Sequence, residues 1–208
     1  MRGVLLTALV LAVVASPAGS HEPAGGGRRP PGSPLSANPS LGVIRTAPDF
    51  TLLDVEGRAV RLTELRGRVV LLAFIYTSCP SACPLLTQRM AVLQQRLRAE
   101  RLLPARVALV SITVDPQRDT AATLGRYARA FGAHRDGWRF LRESPERQAP
   151  VLAAYDEWTT RTSSGELDHP ARLHLIDAQG RVREIYNLAR FDERQAFLDI
   201  VSLLRGAP

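Results

Sequence analysis

Two stretches of this chain are apolar almost without interruption. Arg68 to Tyr76 (RVVLLAFIY) and Arg106 to Val114 (RVALVSITV) lack any polar alternation, the pattern of strands covered on both faces. Between them Leu86, Met90, Leu93 and Leu97 recur at spacings of four, three and four, a buried helical stripe. Pro84 opens that helix, at a position where its missing N–H costs nothing. Thr120 caps a second helix running to Phe131, where Gly132 ends it. Trp138 to Leu141 reads as a short extended run, and Ser144 begins a helix reaching about Tyr155. Upstream, Phe50 to Asp54 and Ala59 to Leu62 flank Glu56-Gly57 as an N-terminal hairpin. Downstream, Leu173 to Asp177 and Val182 to Tyr186 flank Ala178-Gln179-Gly180 in the same way. Asp192 caps the last helix, with Phe197, Leu198 and Leu204 facing inward. Strands alternating with helices predict an α/β fold, a mixed central sheet with helices on both faces.

Composition fits a single globular domain with accessory segments: 208 residues, 45% hydrophobic and 23% charged. It excludes a disordered chain, a collagen and a disulfide-framework miniprotein. All 27 basic residues are arginines against 20 acids, for a net charge of +7. The arginines are scattered and lack interleaved aromatics, which argues against nucleic acid and leaves an acidic protein partner open. At the N-terminus Arg2 precedes a largely apolar run of 12 residues, Val4 to Ala15, and small residues place cleavage after Ser20. Twelve residues fall short of the ~20 needed to cross a bilayer, so residues 1–20 read as a secretory signal rather than an anchor. No cysteine follows the run to receive a lipid. Residues 21–40 hold 12 Gly, Pro or Ser, and 21–46 is expected to be a flexible tether. The folded domain is expected over 47–208, working in the periplasm or otherwise outside the cytoplasm.

The chemistry gathers at the junction of the first apolar strand and its helix, in Tyr76-Thr-Ser-Cys79-Pro-Ser-Ala-Cys83-Pro84. Strand ends of open α/β sheets are where ligands bind, and a helix N-terminus stabilises a nearby thiolate. The four-residue spacing lets both sulfurs turn to one point, either as a disulfide or as two ligands of a soft ion such as Cu(I). A structural disulfide over so small a loop would stabilise little. Two cysteines alone do not make a structural zinc site. A third ligand must come from the four histidines. His169 precedes the strand starting near Leu173 and can approach the cysteines if that strand neighbours theirs, with Asp168 or another acceptor holding its second ring nitrogen; otherwise it is a solvated loop side chain. His174 is expected in packing or at the surface, and His134 as an exposed cap. His21 would be the new amino terminus, where an imidazole can bind copper. Asp115 emerges on the strand-end rim, either tuning a thiol, contacting a partner, or forming a turn in which Asp119 and Thr120 cap the next helix. Tyr76 borders the site or simply ends a core strand.

Three linked motifs, Phe74-Ile-Tyr-Thr-Ser-Cys79-Pro-Ser-Ala-Cys83-Pro, Val114-Asp115-Pro-Gln-Arg-Asp-Thr, and Asp168-His169 followed by Leu175-Ile-Asp, resemble the Sco/SenC family in order and spacing, over about Ala47 to Leu204. The resemblance implies a thioredoxin-like fold, copper held by Cys79, Cys83 and His169, and Asp115 as a site-adjacent acid. It implies a metallochaperone for the copper-A centre of cytochrome c oxidase, with that enzyme's copper-A subunit as partner and a copper donor or thioredoxin-like reductant upstream. Some members are thought to reduce the receiving cysteines or to act in redox signalling. An enzyme reading, thiol-disulfide oxidoreduction with Cys79 attacking and Cys83 resolving, is the alternative; a peroxiredoxin-like peroxidase ranks below it. Two departures stand out: Ser81 where an acid is frequent, and Pro170 after His169 where a small hydroxyl residue is common. The His169–Pro170 bond is expected trans, the majority state.

Overall fold

The computed structural model describes residues 35–36, 39–163 and 165–206. The signal-like segment, with its proposed cleavage after Ser20, and His21 lie outside the described residues. In chain order the elements are β1 (Arg45–Thr46), β2 (Thr51–Asp54), β3 (Ala59–Arg61), β4 (Val69–Ile75), α1 (Ala82–Ala99), β5 (Val107–Thr113), α2 (Ala121–Ala130), β6 (Trp138–Arg142), α3 (Pro145–Ala154), β7 (Thr160–Arg161), β8 (Leu167–Asp168), β9 (Arg172–Ile176), β10 (Arg181–Asn187) and α4 (Glu193–Arg205). Eight strands form one sheet in the order β1-β10-β9-β4-β5-β6-β2-β3, while β7 and β8 pair as a separate ribbon. β4, β5 and β6 run parallel, and β9 returns antiparallel beside β4.

All seven residues of β4 and all seven of β5 are buried, as unbroken apolar runs require. α1 buries Cys83, Leu86, Thr87, Met90, Leu93, Gln94 and Leu97, one stripe at helical spacing, and packs against α4. This helix starts at Ala82, two residues before the expected Pro84, which sits inside the first turn where an N–H has no helical acceptor anyway. Both hairpins close on the same device. Asp54 accepts from the N–H groups of Glu56 and Arg58, and Asp177 from those of Gln179 and Arg181. Gly57 and Gly180 take the left-handed backbone (φ 78° and 79°) that an Asp-x-x-Gly-Arg corner needs.

The expected boundary at Ala47 lies too far along the chain. β1 covers the edge of β10, Ile44 N–H donates to Val182 O at 2.9 Å, and Arg183 binds the Leu41 carbonyl. Ser36 and Gln195 exchange hydrogen bonds of 2.8 and 3.2 Å. An open sheet edge left without partners would be a template for non-native pairing, and these residues cover it. Among the described residues no helix is long and apolar enough to cross a membrane.

Candidate metal centre

β4 delivers the cysteine loop to the end of the sheet, and α1 begins within it. Cys79 and Cys83 are free thiols, 9% and 1% exposed. The Cys83 N–H donates to Cys79 Sγ at 3.3 Å, so the first turn of α1 folds around the sulfur. The antiparallel pairing of β9 with β4 brings His169 to the same place: its Nε2 stands 3.8 Å from Cys83 Sγ. The Tyr76 ring meets the His169 ring edge-on at 5.8 Å, and its hydroxyl accepts from Leu167 N–H at 3.3 Å. Tyr76, Cys79, Cys83 and His169, from two distant stretches, therefore share one point.

A hydrogen bond from the Cys83 thiol, joined by the N–H groups of Cys83 and Ser81 and the Tyr76 hydroxyl, holds the Cys79 thiol well below its ordinary pKa against the opposing effect of burial. Cys83 moves the other way, because its proton is held by Cys79 and burial disfavours a second charge. Burial, with the Cys79 charge nearby, pushes Tyr76 up to about 12. The surroundings thus push the two thiols in opposite directions, favouring the charged form at Cys79 and the protonated form at Cys83. Among the described residues no group of three or more His, Cys, Asp or Glu side chains is already arranged to hold a metal ion.

Asp168 is exposed on β8, and the His169 Nδ1 instead faces Glu157 Oε2 at 3.4 Å, a carboxylate with no solvent exposure. The Asp115 carboxylate pairs with Arg118 at 2.7 Å, and Arg118 reaches the Gly165 carbonyl at the tip of the β7–β8 ribbon. Asp119, expected only to cap α2, is the acid that holds the cysteine loop. It accepts from Thr77 N–H (3.1 Å), from the Thr77 hydroxyl and from the Thr113 hydroxyl (both 2.5 Å). Thr120 does cap α2 through Thr123 N–H. His134 is exposed, while His174 is fully buried between Phe74 and Tyr155. For Glu157 and Asp119 the available signal was an acid close to a helix end, which capping explains equally well.

The family model described as SCO1/SenC matches residues 39–205. A SCO1 protein homolog from Bacillus subtilis is 30% identical over 161 residues, covering 76% of this chain and 80% of that protein. The structure of Bradyrhizobium japonicum ScoI with copper bound superposes with a TM-score of 0.64 at 29% identity, covering 75% of this chain and 98% of that one. BsSco, described as having a disulfide switch and as a member of the Sco family of cytochrome c oxidase assembly proteins, gives 0.68 at 25% identity, covering 81% of this chain and all of its own. The chain spans little more than half the length of the mammalian mitochondrial SCO2 homologues it also matches, 55% of the bovine protein. These neighbours share the thioredoxin-like architecture, as expected for the mixed sheet.

Proposed function

The chain belongs to the SCO1/SenC family, and from that premise we propose that it is a copper-binding assembly factor for the copper-A centre of cytochrome c oxidase, carrying copper as cargo between Cys79, Cys83 and His169. The observation that carries the reading is the 3.8 Å approach of His169 Nε2 to Cys83 Sγ. Metal–sulfur and metal–nitrogen lengths of about 2.3 and about 2.0 Å, spread by roughly 120°, put two such donors about 3.7 Å apart. Thiolate donors suit Cu(I), and the imidazole extends the set to Cu(II). The surroundings favour the thiolate a metal requires at Cys79, while Cys83 must lose its proton as the ion enters, so loading should release a proton. Three ligands leave the ion open on one side for a receiving protein. Copper-bound ScoI and the description of BsSco support the same assignment. The N-terminal pattern supports work outside the cytoplasm, with the copper-A subunit as partner.

The test is metal content and visible absorption of purified protein after copper loading. Wild type should hold a single copper per chain and show sulfur-to-Cu(II) charge transfer. Cys79→Ala and Cys83→Ala should lose the metal, and His169→Ala the charge-transfer band. Equal loading in Cys83→Ala would overturn the assignment.

One observation favours a second reading. The lowered pKa of Cys79 beside a protonated Cys83 is the arrangement of an attacking and a resolving thiol. Cys79 would attack a partner disulfide; Cys83, giving up its proton to the departing thiolate, would then form the Cys79–Cys83 disulfide and release the partner as a dithiol. Stoichiometric reduction of an oxidised copper-A domain by metal-free protein supports this; no reduction excludes it.

A further inference from the structure

We propose that Glu157 is a positioning residue that fixes the tautomer of His169 and so keeps Nε2 available as a donor; this deepens the copper reading above and rests on it. Helix α3 ends in a Schellman turn. Asp156 N–H donates to Ala153 O and Glu157 N–H to Leu152 O, with Asp156 in the left-handed region (φ 58°). That turn drives Glu157 inward to 1% exposure while its neighbour Trp158 stays 53% exposed. The Glu157 carboxylate meets one hydrogen-bonding side chain among the described residues, the His169 ring, and its Oε1 is buried with no partner. A carboxylate so placed needs a donor, and the His169 Nδ1 is the one at hand.

The same nitrogen has a rival contact. Ala171, also left-handed (φ 49°), points its N–H at Nδ1 from 3.2 Å. A neutral imidazole carries one proton, so the two contacts demand opposite tautomers. With the proton on Nδ1, the ring donates to Glu157 and the Nε2 lone pair faces Cys83 Sγ. With the proton on Nε2, Nδ1 accepts from Ala171, and the N–H turned toward the sulfur blocks coordination. Glu157 and Ala171 therefore pull against each other, and the carboxylate selects the tautomer a metal needs. Asp168, beside the histidine in sequence, takes no part.

The experiment reads ring-nitrogen chemical shifts of 15N-labelled, metal-free protein at one fixed neutral pH, with His169→Ala to assign the signals. Wild type should show His169 protonated on Nδ1. Glu157→Leu should move the proton to Nε2, while Glu157→Gln, whose amide oxygen still accepts, should keep it on Nδ1. Copper competition titrations should find Glu157→Leu weaker by about 10- to 100-fold and Glu157→Gln near wild type. An Nε2-protonated ring in wild type, or a folded Glu157→Leu with unchanged tautomer and affinity, overturns the proposal. The wild-type measurement decides even if the leucine variant fails to fold. Since the tautomer is read without metal, a wild-type protein that binds no copper defeats the copper reading while leaving this measurement intact.

Discussion

His174 gives the sharpest quantitative test of how the core was built. It sits in β9 between Leu72 of β4 and Ile185 of β10, edge-on to Phe74 at 5.9 Å and to Tyr155 at 5.1 Å. Its two ring nitrogens are buried, and neither has a hydrogen-bond partner among the described residues. Burial first, and then the positive charges of Arg45 and Arg172, push its pKa down from 6.5 to about 4. The folded state thus resists protonation and the unfolded chain does not. His174 adds no penalty above pH 6.5, and stability falls as pH drops from there toward 4. The full gap corresponds to about 3 kcal/mol, of which about 2 kcal/mol should already be lost between pH 7.5 and pH 5. His174→Leu removes the titration and the two unpartnered nitrogens together. At pH 7.5 it should lie within about 1.5 kcal/mol of wild type, lost ring contacts being offset by relief of polar burial. Urea denaturation followed by tryptophan fluorescence at both pH values measures the difference, since the carboxylates titrate alike in the two proteins. Parallel pH dependence in wild type and His174→Leu would refute the argument.

Three further outcomes follow from contacts described above. Thiolate absorbance near 240 nm should show one cysteine titrating far below the ordinary thiol range, and Cys83→Ala should move that inflection upward by removing the chief cause of the Cys79 shift; an unmoved inflection would contradict that cause. Asp119→Ala strands the Thr77 N–H and the Thr77 and Thr113 hydroxyls, so thermal or urea unfolding should register a loss of about 2–4 kcal/mol. Asp177→Ala should cost about 2 kcal/mol or more. Burial alone would raise the Asp177 pKa, but its bonds to Arg181 and Arg183 hold it below 3.8. That contribution is therefore complete above the unfolded value and disappears as pH falls through the lowered folded one, so the variant's deficit should shrink in strong acid.

The parts of the fold readable in advance were those where one local rule suffices. Unbroken apolar runs mark β4 and β5 because only a doubly covered strand tolerates them, and the Leu86–Met90–Leu93–Leu97 stripe marks α1. The Asp-x-x-Gly-Arg corners announce both hairpins through their glycines. The cysteines lie where a strand meets a helix, a place composition alone can locate. What stayed hidden depends on tertiary contact. β7 and β8 are two residues each, too short to carry a period, and β1 exists only because β10 offers it an edge. Glu157 looks like any polar residue after a helix until the left-handed turn at Asp156, a conformation usually taken by glycine, carries it inward. Asp119 was hidden for the same reason: it follows β5 as Asp115 does, and its meeting with the cysteine loop is settled by the path of the intervening turn.

The ribbon that leads into His169 has a consequence for how any occupant enters or leaves. β7 and β8 are joined by two residue pairs, and beyond them the ribbon is pinned to the body by the Arg118–Gly165 contact and the Leu167–Tyr76 contact. So short a hairpin has little cohesion of its own. Its amides should be the first around this centre to exchange with deuterium. If the centre carries copper as proposed, loosening of this ribbon would free the imidazole while the sheet beneath stays folded.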